Sequence, residues 1–253
     1  MDAKEPLLPS SAPAQEDVNA RDEATMRQKR KSRFQVAAVV ILLSIFWLAR
    51  TWSCDHEHTE ADTKVPLDVH IMSKCPDARA CLQKLIVPTM AKVSDKVDFR
   101  LSFIGKKTND DDGVLCMHGQ TECLGNILML CAAAEYPDPK LYLGFSNCLI
   151  NDYKEIPNKS LIEDCALEHG LDFDTLNQCM SKDTGAYGMG LLRDSVQHSS
   201  DVGVTTSCTV RLNDKVRCIY DDGEWRDCDD GSNPADLIHD IDRLYDEAQG
   251  WTY

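Results

Sequence analysis

Cys116-Met-His-Gly-Gln-Thr-Glu-Cys123-Leu-Gly-Asn-Ile-Leu-Met-Leu-Cys131 packs three cysteines, a His-Gly turn, a glutamate and an asparagine into sixteen residues. Glu122 suits the first turn of a helix, where a negative charge meets exposed N–H groups. Leu124, Ile127, Leu128, Leu130, Cys131 and Ala134 follow as an apolar stripe near helical period. His118-Gly119 then reads as the loop that feeds this helix. Cys123 and Cys131 stand eight residues apart, about 12 Å along a helix at ~1.5 Å per residue, beyond the ~7 Å Cα limit of a disulfide. They cannot pair with each other, whereas Cys116, still in the loop, can reach one of them.

Working outward, Pro66 to Met72 alternates as a short strand, with Leu67, Val69 and Ile71 against Asp68, His70 and Met72. Lys74-Cys75-Pro76 opens a helix carrying Cys81, Leu82, Leu85 and Ile86, with proline at its first position. Val97 to Ile104 is a second alternating strand. Asn109 to Gly113 breaks the pattern, and the reading from Cys116 to about Ser195 is helical with loops. Gly185, Gly188 and Gly190 lack the Lys-Ser/Thr of a phosphate loop and read as a turn before Leu191. Thr205 to Leu212 and Lys215 to Tyr220 flank Asn213-Asp214 as a hairpin carrying Cys208 and Cys218. Asn233 caps a last helix with Pro234 at its start and Leu237, Ile238, Ile241 and Leu244 as its buried stripe. Strand, cysteine-headed helix and strand, closed by a hairpin and a helix, give an α/β class with thioredoxin-like topology and a helical insert between its halves.

The 253 residues carry a net charge of -15, which argues against nucleic acid as a partner, since phosphate contacts need a basic face. Twelve cysteines, with no pair spaced C-x-x-C, rule against zinc ribbons and the ordinary thioredoxin dithiol. They fit a disulfide framework in an oxidising lumen. Cys148, Cys165, Cys179, Cys208, Cys218 and Cys228 are its structural candidates.

Residues 1–33 are polar, with Pro6, Pro9 and Pro13 and a basic cluster of Arg27, Lys29, Arg30, Lys31 and Arg33, a composition that builds no core and reads as a disordered cytosolic tail. Phe34 to Ala49 is an apolar run that Thr51 and Trp52 extend, giving a single transmembrane helix at 34–52. A cleaved signal peptide is the competing reading. The long tail and the poor small-residue site in Trp-Leu-Ala-Arg-Thr-Trp favour an uncleaved signal anchor. The basic cluster sets the N-terminus in the cytosol, so every cysteine faces the lumen. Cys54-Asp-His-Glu-His58 lies in a solvated linker at 53–64, and no metal site is expected. The folded domain covers 65–248, with its helical insert over about 110–195. Asn158-Lys-Ser160 is an N-glycosylation acceptor if lumenal.

Cys116, His118, Gly119, Glu122, Cys123, Asn126 and Cys131 fill without a gap the C-x-H-G-x-x-E-C-x-x-N-x4-C signature of the gamma-interferon-inducible lysosomal thiol reductase family, which the chain resembles. With Ser73-Lys-Cys-Pro-Asp-Ala78 and Cys208-Thr-Val-Arg-Leu212, the likeness covers roughly Val65 to Tyr245 and is similar to fungal members. It implies a thioredoxin-like fold, reduction of protein disulfides, and an acidic lytic compartment, vacuole or lysosome. It also implies that Cys75 is the attacking thiol, at a helix N-terminus that favours an anion. The family's second thiol, three residues on, is here Ala78, and Cys81 is the next sulfur. A second departure lies where such folds keep a cis proline. Thr206-Ser207-Cys208 stands there instead, and an altered substrate-aligning geometry is expected.

Two functional readings follow. One is a lumenal thiol oxidoreductase using Cys75, with Cys81 or an external small-molecule thiol completing the cycle and no other cofactor. The other is a catalytically degenerate, disulfide-stapled binding protein tethered to the membrane.

Overall fold

The computed structural model describes Arg27, residues 40–44 and 46–47, 63–109 and 113–250. The chain forms two units, Met1–Glu60 and Ala61–Tyr253. In the first, the described residues 40–44 and 46–47 are helical, and Val40, Ile41, Leu42, Leu43, Phe46 and Trp47 are exposed. Among the described residues no helix is long and apolar enough to cross a membrane. Most of the tail, the anchor and the linker, with Cys54, lies outside the described residues.

The second unit is built on a five-stranded mixed sheet of order β2-β1-β5-β6-β7. β1 (Val65–Ile71) pairs in parallel with β2 (Val97–Phe103) and antiparallel with β5 (Thr209–Leu212). Between β1 and β2 the chain runs through α1 (Pro76–Cys81), a π-helical turn at Leu82–Ile86 and α2 (Val87–Val93). Pro88 has no N–H and its ring crowds the carbonyl four residues back. The widened turn before it lets the helix continue. β5 and β6 (Lys215–Asp221) form the expected hairpin, and Asn213 and Asp214 both adopt positive φ, 47° and 62°, as a twist-matched tight turn requires. β7 (Glu224–Arg226), unforeseen in the sequence, extends this edge. The parallel βαβ unit, the antiparallel hairpin and the final helix α8 (Pro234–Ala248) make the thioredoxin topology.

α8 starts as expected, with the Asp236 carboxylate accepting the Asn233 N–H at 3.0 Å. Leu237 and Ile241 are buried, and Ile238 and Leu244 pack at the edge of the core. Beneath, Asp240 is buried and accepts from Arg217 Nε of β6 at 2.6 Å.

The insert holds a small ribbon, β3 (Lys106–Lys107) with β4 (Val114–Leu115), and five helices: α3 (Gln120–Glu135), α4 (Pro139–Asn151), α5 (Lys159–His169), α6 (Phe173–Ser181) and α7 (Ala186–Asp201). Two sequence expectations change here. α3 is not a one-striped helix: Leu124 and Ala134 face outward, while Glu122, Gly125, Asn126 and Met129 are buried, because α3 packs against α4, α6 and α7 at once. Gly188 and Gly190 are not a turn but lie inside α7. A Cβ on Gly188 would stand 2.7 Å from Ile127 Cγ2, so glycine there permits the close approach of α3 and α7.

The alternating residues of β1 also carry a surprise. Its polar face is not in water, since Asp68 and His70 are buried along with Leu67, Val69 and Ile71. α7 packs on the same sheet, and Ser199 of α7 bonds both His70 and Phe103.

Candidate active site

Cys75 is the N-cap residue of α1, in extended conformation, 8% exposed. Pro76 at the next position suits the helix start and removes an N–H that would otherwise lack a partner. The Cys75 N–H donates to Met72 O at 3.1 Å, so the residues before it form a tight turn. The thiol points to Ser207 O at 3.7 Å, and Ser207 Oγ accepts the Met72 N–H at 2.9 Å. The segment before β5 therefore faces the thiol. The Ser207–Cys208 peptide bond is cis, in the segment where the sequence has no proline.

Cys81 does not complete a couple with Cys75. It is wholly buried and bonded to Cys208, with Cα atoms 6.3 Å apart. α1 carries Cys81 inward, to the segment before β5, while Cys75 keeps 8% exposure at the start of the helix. Four further bridges join Cys116 to Cys123, Cys131 to Cys179, Cys148 to Cys165 and Cys218 to Cys228. Among the described residues Cys75 is left as the free cysteine. Ala78, where a second thiol would close a ring with Cys75, is fully buried.

The signature residues make a bracket behind Cys75. Asn126 Oδ1 accepts the Ser73 N–H at 3.0 Å, and Ser73 Oγ donates to Glu122 O at 3.0 Å. Glu122, fully buried at the start of α3, accepts from the His118 N–H at 3.4 Å, and its other oxygen bonds His118 Nδ1. Gly119 takes φ 82°, which a side chain would strain, and turns the loop into α3. The Cys116–Cys123 bridge closes the same loop, and Asn126 Nδ2 donates to Cys116 Sγ at 3.8 Å. Cys131 anchors the far part of α3 to α6 through Cys179.

Sequence reasoning missed the roles of five contributors. Ser73 and Ser207 stand in stretches the sequence singled out, but nothing in their spacing says what their hydroxyls bond. Gly125 does its work by absence: a Cβ there would lie 2.7 Å from Ser73 Oγ and 2.5 Å from Ile156 Cγ2. Lys74 Nζ donates to Ile156 O at 2.7 Å and Lys154 O at 3.1 Å, and Asp77 accepts from the N–H groups of Asp222 and Gly223. These bonds hold the flanks of Cys75 to the insert and to the β6–β7 turn. Beside the Met72 turn lies a cleft of about 370 Å³ lined by Met72, Ile104, Leu115, Met117, Val204 and Thr205. Leu115 and Met117 are 54% and 78% exposed.

Residues 66–169 match the family described as gamma interferon inducible lysosomal thiol reductase (GILT). The chain is 26% identical over 168 residues to GILT-like protein 1 of Drosophila melanogaster, covering 60% of this chain and 64% of that protein. It is 30% identical over 126 residues to the gamma-interferon-responsive lysosomal thiol protein of Arabidopsis thaliana, covering 47% and 49%. The match thus spans less than two thirds of either relative. Among solved structures the chain is similar to the reduced disulfide bond oxidoreductase DsbG of Mycobacterium tuberculosis, at 15% identity over 77% of this chain and 87% of that one, with a TM-score of 0.48. Oxidised BdbD of Bacillus subtilis is similar at 17% identity over 74% and 89%, with a TM-score of 0.47.

Proposed function

We propose, from the premise that the chain belongs through residues 66–169 to the gamma interferon inducible lysosomal thiol reductase family, that it is a thiol–disulfide oxidoreductase acting on protein disulfides through the single thiol of Cys75. The observation that carries this reading is the free Cys75 at the start of α1, with Cys81 committed to Cys208. The Cys75 thiolate attacks one sulfur of a substrate disulfide; an S–S bond forms to Cys75 and the other substrate sulfur leaves as a thiolate. A small-molecule thiol then attacks the Cys75 sulfur and releases the substrate's second thiolate, which takes a proton. A second molecule of that thiol restores Cys75 and leaves as the oxidised dimer. The net change is one protein disulfide reduced and two external thiols oxidised. The cleft beside the Met72 turn offers apolar surface to the chain that flanks a substrate disulfide.

The domain is placed in the lumen of the secretory pathway, a vacuole or a lysosome, behind an uncleaved signal anchor at 34–52. The basic residues before that run and the exposed Asn158 support this. Asn158 Oδ1 caps α5 by accepting from Ser160 N at 3.1 Å, which leaves Nδ2 as the atom for a glycan. A glycosidase-sensitive mass shift absent in Asn158→Gln, in a protein resisting alkaline extraction, is the expected result; a soluble form cut near Arg50 would favour a cleaved leader.

The activity is tested by reduction of a disulfide-bonded protein with a small-molecule thiol, near pH 5 and near neutrality. Cys75→Ser should abolish turnover and the trapped mixed disulfide. Turnover that survives in Cys75→Ser would put the chemistry on another thiol and overturn the single-thiol mechanism, and no turnover in wild type whose Cys75 is readily alkylated would favour the binding-protein reading.

A further inference from the structure

We propose that Asp68, His70 and His198 form a site for one divalent transition-metal cation, with Zn²⁺ the best chemical fit, between β1 and α7. Asp68 and His70 share a face of β1, and His198 comes from the last turn of α7. Asp68 Oδ2 lies 3.0 Å from His70 Nε2 and 2.5 Å from His198 Nε2, and the three ligand atoms lie within 4.8 Å of one another.

The hydrogen bonds around the cluster fix which atoms carry protons. Ser199 Oγ donates its one proton to Phe103 O at 2.9 Å, so toward His70 Nδ1, also 2.9 Å away, it can only accept. His70 Nδ1 therefore holds a proton, and Nε2 of the neutral ring is a bare lone pair. That atom is fully enclosed, on a residue with no exposed surface, and has no hydrogen-bond partner of good geometry. Its nearest neighbour of opposite polarity would have to be a donor, yet what it faces is a carboxylate oxygen. Ser102 Oγ donates to the other oxygen, Oδ1, at 2.7 Å and fixes the carboxylate plane. A buried lone pair pointed at a carboxylate needs a positive charge between them, either a second proton on His70 or a cation. Nδ1–H bonded to an outer acceptor, with Nε2 free, is how protein scaffolds orient a metal-binding imidazole.

Two imidazole nitrogens and a carboxylate oxygen, with a fourth position for water, are a ligand set suited to Zn²⁺. Bonds of ~2.0–2.2 Å set tetrahedral ligand atoms about 3.3 Å apart. His70 and Asp68 are close to that separation. His198 must withdraw by under about 1 Å, and its side chain is 29% exposed at a helix end. Arg100 Nη1, 3.5 Å from His198 Nε2, belongs to an exposed side chain that can turn to solvent as the cation enters. The open side meets a cleft bordered by Tyr142, Leu191, Asp194 and Ser195. A bound cation would clamp the last helix of the insert to β1.

The test uses the full chain, chelator-treated, with free thiols alkylated so that sulfur contributes nothing. Calorimetric titration with Zn²⁺ alone should show one equivalent bound at micromolar Kd or tighter, and Co²⁺ should give the visible bands of a tetrahedral nitrogen–oxygen site. Ser199→Ala should weaken binding about 10- to 100-fold with the fold intact, and His198→Gln by more. In unaltered protein, Zn²⁺ should shield His198 from carbethoxylation, a readout that requires no variant. Absence of binding at micromolar Zn²⁺, equal affinity in wild type and His198→Gln, or unshielded His198 would overturn the proposal and assign the buried charge to a second proton on His70.

Discussion

Asn126 Oδ1 accepts the backbone N–H of Ser73 at 3.0 Å, two residues before the free thiol of Cys75 and 53 residues away in sequence. Through this bond the signature helix sets the position of the turn that leads into the thiol's own helix. Asn126→Leu keeps the volume roughly and removes the acceptor, leaving a buried N–H whose orphaning costs about 1–3 kcal/mol. The expected outcome is a loss of that size in urea denaturation, with faster alkylation of Cys75 at constant pH. Unchanged alkylation with the same loss of stability would show that Asn126 supports the fold and not the thiol's setting.

Two glycines on neighbouring helices should respond in opposite directions to the same methyl group. Gly125→Ala drives a Cβ to within 2.5 Å of Ile156 and 2.7 Å of Ser73, whereas Gly190, inside α7, has nothing within 4 Å of an added Cβ. Overpacking costs about 1–3 kcal/mol, and a helical Gly→Ala where space is open gains about 0.5–1 kcal/mol. Thermal melts of both variants check this: Gly125→Ala should fall and Gly190→Ala should rise.

The residues that misled in sequence are of one kind. Strands β1 and β2, the Asn213-Asp214 turn and the Asn233-Pro234 helix start were legible because their signals are local: alternation, turn chemistry, capping. The seven signature positions were legible as a spacing, and their spacing proved to be that of a bracket behind Cys75. Gly188 and Gly190 read as a turn because glycine lowers helix propensity, but tertiary contact with Ile127 outweighs that preference. Asp68 and His70 read only as the second face of an alternating strand, since alternation cannot say whether a helix 130 residues later will cover it. The pairing of Cys81 with Cys208 spans 127 residues and has no local signature at all.

A helix cap that weakens in acid is the next expectation. Asp172 Oδ1 accepts the Thr175 N–H at 2.7 Å at the start of α6, and that backbone bond holds the Asp172 carboxyl below its ordinary value of 3.8. A carboxylate held low adds stability that is complete above its unfolded pKa and fades as pH falls through its folded value. The melting difference between wild type and Asp172→Ala should thus be constant from neutrality to about pH 5 and shrink below about pH 4. A difference that persists unchanged in strong acid would mean that the neutral side chain caps as well as the charged one.

The two bridges of the signature helix should differ in what their loss does. Cys131–Cys179 closes a separation of 48 residues between α3 and α6, while Cys116–Cys123 closes one of only 7. In the chain-entropy account these restrict the unfolded chain by about 4 and about 2.4 kcal/mol respectively. Paired alanine substitutions should therefore lower unfolding free energy by roughly 1.5 kcal/mol more at Cys131 and Cys179 than at Cys116 and Cys123. The shorter bridge has the nearer effect on chemistry, since Cys116 also accepts from Asn126 Nδ2, and the loop it closes carries His118 onto Glu122. Removing it should raise the Cys75 alkylation rate for little loss of stability, whereas removing Cys131–Cys179 should do the reverse. Urea titration with alkylation kinetics on both double variants checks the contrast, and equal shifts in both quantities would show that the bridges act as one unit.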